Sequence, residues 1–285
     1  MIPSEETASR LRRYYALRGI SAKTSPDEFR CPHFKPSNGL TPPAGRHCIA
    51  AVNDPSQFFT ALEPYLGREF GRPGVPRLVV MSLDPGTSSS DERSNPFLRV
   101  RGLEDVRDEL TESLKTYPDR HWAQVHVLTI AILSRWIEHA RLGAIDALAA
   151  SEWFAATNAV RCCANLRGGA QGPEIMYKNC GDYVLGELEV LKADVLVTLG
   201  DSAMDAVRAA IAQTNLFVQI SAKPPWHGQV QIDNRLVEWI ALTHPGRDRF
   251  TRKGQKPPYK TQRDTFVPPC VDEIWSRWWS VAREG

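Results

Sequence analysis

The chain has 285 residues and a formal net charge of +2, with 42% hydrophobic, 24% charged and 9% aromatic residues. That length can bury a full core at globular proportions, which excludes a stapled mini-protein, a disordered segment, a fibrous chain and a coiled coil. The longest apolar run, residues 125–133, is interrupted by His126 and falls short of the roughly 20 residues of a membrane span. The opening MIPSEETASRLRRYYALRG lacks the apolar core of a secretory signal, so a cytoplasmic protein is expected.

Residues 4–18 read as a helix, with Leu11, Tyr14, Tyr15 and Leu17 near one face, and proline-punctuated irregular chain follows. The first strand is 77–83, RLVVMSL, which stops at Asp84-Pro85-Gly86. Helical patterns cover 102–116 and 120–142, and a strand follows at 153–160. Pro173 opens a helix that reaches Leu191, and the strand at 194–199 ends at Gly200 before a helix over 202–213. Further strands fall at 215–220 and 235–243, the last running into Thr243-His244-Pro245-Gly246. Residues 271–283 put Ile274, Trp275 and Trp278 on one helical stripe, a pattern that core packing explains.

Strands alternating with helices predict an α/β fold with a mainly parallel sheet covered on both faces. One structural unit is expected, with residues 1–74 as an N-terminal extension, 75–285 as the main domain and a helical insertion at 100–150. Ligands of such sheets bind at the carboxyl ends of the strands. Three of those ends carry polar residues: Asp84, Asn158 and His244. An acid, an amide and an imidazole at one edge can serve as general acid or base, reader of a polar ring and stabiliser of a developing anion. Each is also an ordinary turn or loop residue.

Charge is concentrated near the last of these ends. Residues 244–263 hold Arg247, Arg249, Arg252, Lys253, Lys256, Lys260 and Arg263 against one acid, Asp248. Seven cations less one anion give this window +6, which leaves the remainder of a +2 chain at −4. Such a window is either a polyanion-binding surface, as for nucleic acid, or a solvated loop.

The six cysteines are Cys31, Cys48, Cys162, Cys163, Cys180 and Cys270. In a reducing compartment they are thiols or metal ligands rather than disulfides. Sixteen residues separate Cys31 from Cys48 and seventeen separate Cys162 from Cys180, without a CxxC. Spacing leaves open a tetrahedral zinc, an iron-sulfur cluster and buried unliganded thiols.

The order of motifs adds a resemblance. VMSLDPG at 80–86, Asn95-Pro96-Phe97, TNAVRC at 157–162, VLVTLGDSA at 195–203 and Thr243-His244-Pro245 follow the order of the uracil-DNA glycosylase superfamily. Over residues 75–250 the chain most resembles the iron-sulfur-containing family 4 enzymes. The resemblance implies an α/β/α sandwich with a mainly parallel central sheet. It implies catalytic roles for Asp84, which orients water and stabilises the cationic sugar, and for His244, which donates to O2 of the departing pyrimidine. Leu83, Pro85 and Gly86 belong to the substrate-binding motif, Phe97 stacks on the extruded base, and Asn158 reads its Watson-Crick edge. Gly86 stands where family 1 enzymes carry a bulky tyrosine, which leaves room near C5 of the base.

The resemblance also implies a 4Fe-4S cluster, with Cys162 and Cys180 as the second cysteine pair and Cys31 and Cys48 as the first, which in family 4 is a closer CxxC. Cys163 is an alternative to Cys162, and His33 or His47 to a thiol. The basic window lies where the superfamily inserts a loop into DNA, with Arg247, Arg249, Phe250, Arg252 and Lys253 as contacts and the stretch to Lys260 extending the phosphate track. The interval from Phe97 to Asn158 is longer than in family 4, and its Trp122, His126, Trp136 and His139 are expected to pack as an extra surface helix. Collectively they are also candidates to reshape the pocket or clamp DNA.

The expected function is that of a monomeric, monofunctional DNA glycosylase acting on uracil or a 5-substituted pyrimidine, including a hypermodified phage cytosine in anti-phage defence. No lysine stands in the matched motifs to form a Schiff base, so no lyase step is expected. Two other classes fit: a non-catalytic iron-sulfur DNA-binding module, and a hydrolase of free modified nucleosides.

Overall fold

The runs LVVMS, FAATN and VLVTL are too short for stable helices and are buried at almost every position, the pattern of strands covered on both sides. The computed structural model describes residues 3–20, 31, 33, 64–83, 121–142, 147–150, 152–161, 174–212, 223–245 and 258–284. The helix expected at 102–116 and the strand expected at 215–220 lie outside these residues.

In chain order the elements are α1 (Pro3–Leu17), β1 (Tyr65–Leu66), β2 (Leu78–Ser82), α2 (His121–His139), α3 (Ala147–Ala150) and β3 (Phe154–Asn158). They continue as α4 (Glu174–Leu191), β4 (Val195–Leu199), α5 (Asp201–Ala212), β5 (Trp226–Ile232) and β6 (Arg235–Leu242). The chain then forms α6 (Tyr259–Thr261), a π-helical turn (Gln262–Phe266) and α7 (Val267–Glu284).

The strands form one six-stranded sheet in the order β1-β3-β2-β4-β6-β5. β3, β2, β4 and β6 run parallel, and the edge strands β1 and β5 are antiparallel. Mixed α/β architecture with a parallel centre is thus as expected, and both edges are reversed. β5 and β6 form a hairpin turning at Asp233 and Asn234, with Asp233 at φ 54°.

Alternation along each strand divides the core. Val79, Met81, Leu196 and Trp239 pack against α1, α4 and α5, while Leu78, Val80, Val197 and Ile240 pack against α2 and α7. Two faces, each with a helical layer, account for the continuous apolar runs of the central strands.

α2 corrects one expectation. It is not an added surface helix: Val125, Leu128, Ile132, Leu133 and Trp136 are fully buried and form much of the second face's core. Trp136 donates its Nε1–H to the Val271 carbonyl at 3.4 Å, and His139 stacks on Trp275. His126 lies edge-on to Phe154, and burial lowers its imidazole pKa to about 4.

The N-terminal helix belongs to the same body. Leu11, Tyr15 and Ile20 join the first face's core, and Tyr14 donates its hydroxyl to the Tyr183 carbonyl at 3.2 Å. Beneath α1 lies a buried polar cluster in which Glu187 of α4 contacts Arg161, Thr157 and Tyr15. Arg161 also donates to Thr157 Oγ1 at 2.7 Å. Burial raises the Glu187 carboxyl well above its ordinary range, and the guanidinium against it opposes that shift.

Candidate functional site at the carboxyl edge of the sheet

Four parallel strands, in the order β3-β2-β4-β6, bring their carboxyl ends to one edge of the sheet. Ser82 and Asn158 are paired positions of β2 and β3. Beyond them the pairing continues through backbone bonds from Ala159 N–H to the Ser82 carbonyl at 2.8 Å and from Val160 N–H to the Leu83 carbonyl at 3.1 Å. β4 ends next to β6, and Gly200 donates its N–H to the Leu242 carbonyl at 2.8 Å, two residues before His244.

Gly200 joins the first and last of these ends. It has φ 100°, a conformation that side chains rarely adopt, and a Cβ there would meet Leu83 Cδ2 at 2.8 Å and His244 Cβ at 3.2 Å. The absence of a side chain lets Leu83 and His244 approach the same point of backbone. Leu83, Asn158 and His244 are all half-buried, as a site open to a ligand requires.

A residue that spacing did not single out completes the arrangement. His121, the first residue of α2, stacks on His244 with ring centroids 4.8 Å apart and planes 7° from parallel. Its Nε2 lies 2.8 Å from Ser82 Oγ. Ser82, His121 and His244 therefore form a connected polar group, and Asn158 is the register partner of Ser82 on the neighbouring strand.

The C-terminal segment supports this group from behind. The fully buried Gln262, at the head of the π-helical turn, accepts the Thr243 N–H on its Oε1 at 3.0 Å. Tyr259 donates to the Gln124 carbonyl at 3.0 Å, and Arg263 Nη1 lies 3.2 Å from Gln124 Oε1. π-helical turns recur at functional sites, and Gln262, the first residue of this one, reaches the strand end. Arg263 also pairs with Asp264 at 2.6 Å, so this cation of the basic window is engaged within the chain.

Of the other expected site residues, Asp84, Pro85, Gly86 and Phe97 lie outside the described residues, as do Arg247, Arg249, Phe250, Arg252 and Lys253. Cys48 and Cys162 lie outside them too.

Two of the four expected cluster ligands are described, and they lie around one side chain. Cys31 Sγ is 3.8 Å from the Tyr183 hydroxyl, and Cys180 lies one helical turn before Tyr183 on α4. Burial, and then Cys31 and Cys180, push the Tyr183 phenol upward. Cys180 Sγ accepts the Arg161 N–H at 3.5 Å, the kind of bond that stabilises a coordinating thiolate. His33, an alternative ligand, contacts Asp182 at 3.2 Å and lies edge-on to Tyr183. Among the described residues no group of three His, Cys, Asp or Glu side chains is gathered closely enough to hold a metal ion. Cys270 stands apart on the other face, where its Sγ lies 3.1 Å from the Phe266 carbonyl.

A second charged group lies behind the edge strand. His227 Nε2 lies 3.0 Å from Glu238, and Arg277 reaches Glu238 Oε1 at 2.7 Å. Burial lowers the His227 pKa, but hydrogen bonds with Cys270 and Glu238 outweigh it and raise the imidazole to about 9.

No protein-family model matches the chain, and the search of curated proteins finds no match. Among the described residues no helix is long and apolar enough to cross a membrane.

Proposed function

We propose that the chain is a monofunctional DNA glycosylase of the uracil-DNA glycosylase type, which flips out and excises uracil or a 5-substituted pyrimidine and leaves an abasic site. The observation that supports this reading is the approach of Leu83 and His244 to Gly200 at the carboxyl edge of the parallel strands, where Asn158 is in register with Ser82.

A glycosidic bond inside stacked DNA is out of reach, so the target nucleotide is extruded into the pocket. Phe97 stacks on the base, and the Asn158 carboxamide reads its polar edge. His244 donates to O2 as the base departs with the bonding electron pair, and Asp84 faces the cationic sugar and orients water. The hydroxyl of that water goes to C1′ and the proton is released, with the base leaving as an anion that is then protonated. Each tenfold of rate corresponds to about 1.36 kcal/mol, and loss of one such donor typically costs about 10²–10³-fold. Arg247, Arg249, Arg252 and Lys253 neutralise phosphates, while Phe250 fills the vacated stack. Gly86 leaves space for a substituent at C5, which extends the substrate range to hypermodified phage cytosine and the role to anti-phage defence.

Cys31, Cys48, Cys162 and Cys180 would hold a 4Fe-4S cluster, which supplies a structural tie between the N-terminal segment and α4. Cys31 and Cys180, the two of these that are described, both lie near Tyr183.

The test is base release from oligonucleotides containing uracil or 5-hydroxymethylcytosine and from phage DNA with glucosylated cytosine, read by alkaline cleavage at abasic sites. Release from one substrate, lost in Asp84→Asn and His244→Ala, is the expected result. Salt-dependent DNA binding without release from any of them replaces this reading with a non-catalytic recognition module.

A further inference from the structure

We propose that His121 is a positioning residue that holds the His244 imidazole in the plane from which it donates to the departing base. The inference rests on the glycosylase reading for its catalytic consequence and on the geometry of the two rings for its physical basis.

The terminal torsion of a histidine is broad and two-fold, so an imidazole at the end of a strand sweeps a wide arc unless something fixes its plane. His244 is confined at both ends of its side chain. At the root, Gly200 lies so close that an added methyl carbon would stand 3.2 Å from His244 Cβ. At the tip, the His121 ring covers one face at 4.8 Å and 7°.

A stacked ring transmits a plane only if it is itself fixed. His121 is anchored by Ser82 Oγ at 2.8 Å, and the Ser82 residue is almost wholly buried in β2. The start of α2 is held in turn by the Tyr259 and Arg263 contacts to Gln124. Gln262, between those two residues, secures the backbone of Thr243 immediately before His244. Both rings are thus tied to the same short segment, residues 259–263.

His121 acts through another residue, so its removal affects the chemical step rather than DNA affinity. A donor displaced by a fraction of an ångström loses rate while the ground-state complex is unchanged.

The experiment compares wild type with His121→Ala, which removes the ring, and His121→Phe, which keeps a flat ring without the nitrogen that faces Ser82. Single-turnover release and DNA affinity are measured on an oligonucleotide carrying one uracil and on phage DNA with glucosylated cytosine. His244 ring protons are followed by NMR, and thermal melting reports folding. His121→Ala is expected to slow release roughly tenfold or more at unchanged affinity, with a cooperative melting transition showing that the variant is folded. It also moves the His244 ring signals downfield as the stacked ring's shielding is lost. His121→Phe, which restores a ring but not the anchor to Ser82, is expected to recover the shielding and the rate only in part, above His121→Ala and below wild type. A wild-type rate in His121→Ala, or a Phe variant that keeps the shielding yet releases base as slowly as Ala, overturns the proposal. Absence of release by wild type on both substrates overturns the glycosylase reading alone; the spectra then decide the positioning, which unchanged His244 shifts in His121→Ala overturn.

Discussion

Gly200 and His244 approach so closely that a single added carbon on the glycine would lie 3.2 Å from the histidine's Cβ, with Leu83 Cδ2 nearer still at 2.8 Å. Gly200→Ala therefore meets two penalties, one from a φ of 100° that alanine rarely adopts and one from the crowding. The expected cost is about 1–3 kcal/mol of stability by urea unfolding, with base release falling further than partial unfolding explains because His244 is displaced. An alanine variant with wild-type stability and release contradicts the packing described for this edge.

Arg161 and Glu187 are buried almost completely and contact each other within one cluster. Removing the cation strands a carboxylate in the core, so Arg161→Met is expected to destabilise by about 3–5 kcal/mol in urea unfolding. Replacing both groups, as Arg161→Met with Glu187→Leu, should recover a substantial part of that loss, because no buried charge remains unmatched. Equal destabilisation by the single and double variants rules out the pairing as the cause.

His227 gives stability a definite dependence on pH. Its pKa rises from 6.5 to about 9 on folding, so its contribution is complete below pH 6.5 and disappears as pH climbs through about 9. Glu238 opposes burial with hydrogen bonds from His227, Arg277 and Gln229, and these hold its carboxyl below 4.5. Its contribution is present above pH 4.5 and is lost as acid protonates it. Unfolding free energy measured across pH should decline on the alkaline side between these His227 values, and Glu238→Gln should flatten that decline. Cys270, Glu273 and Arg277 also face this imidazole and remain in the variant.

The three described cysteines separate by face of the sheet. Cys31 and Cys180 lie about Tyr183 on the first face, whereas Cys270 packs on the second. On the proposed cluster, the protein as isolated binds iron and acid-labile sulfide, Cys31→Ser and Cys180→Ser each lower both, and Cys270→Ser leaves them unchanged. Iron that is lost with Cys270 and retained without Cys180 would falsify the ligand set.

Much of the scaffold is legible in the sequence because its signals are local. The runs ending at Leu83, Asn158 and Leu199 are short, apolar and closed by polar or glycine residues, and each is a central strand or its immediate end. β5 leaves a fainter signal because it lies at an edge: in WHGQVQI the polar residues His227, Gln229 and Gln231 take every second position, so no continuous apolar run marks it. The turn residues Asp233 and Asn234 just before the clear strand β6 are the available signal for that hairpin. β1, at two residues, is too short for any periodicity. At the site, Asn158 and His244 stand out as polar residues at strand ends. His121 and Gln262 do not, since their importance arises from where α2 and the C-terminal segment meet the sheet. Contacts separated by 139 residues, as between Gln124 and Arg263, leave no trace in spacing.

Tyr15 reaches Glu187 across 172 positions of sequence. A chain emerging from the ribosome thus exposes its amino-terminal helix long before the carboxylate that receives it has been made. α1 must wait, its apolar stripe uncovered, until α4 is synthesised, and only then does it close over Arg161 and Glu187. For this helix, early synthesis does not bring early burial of Tyr15 against Glu187.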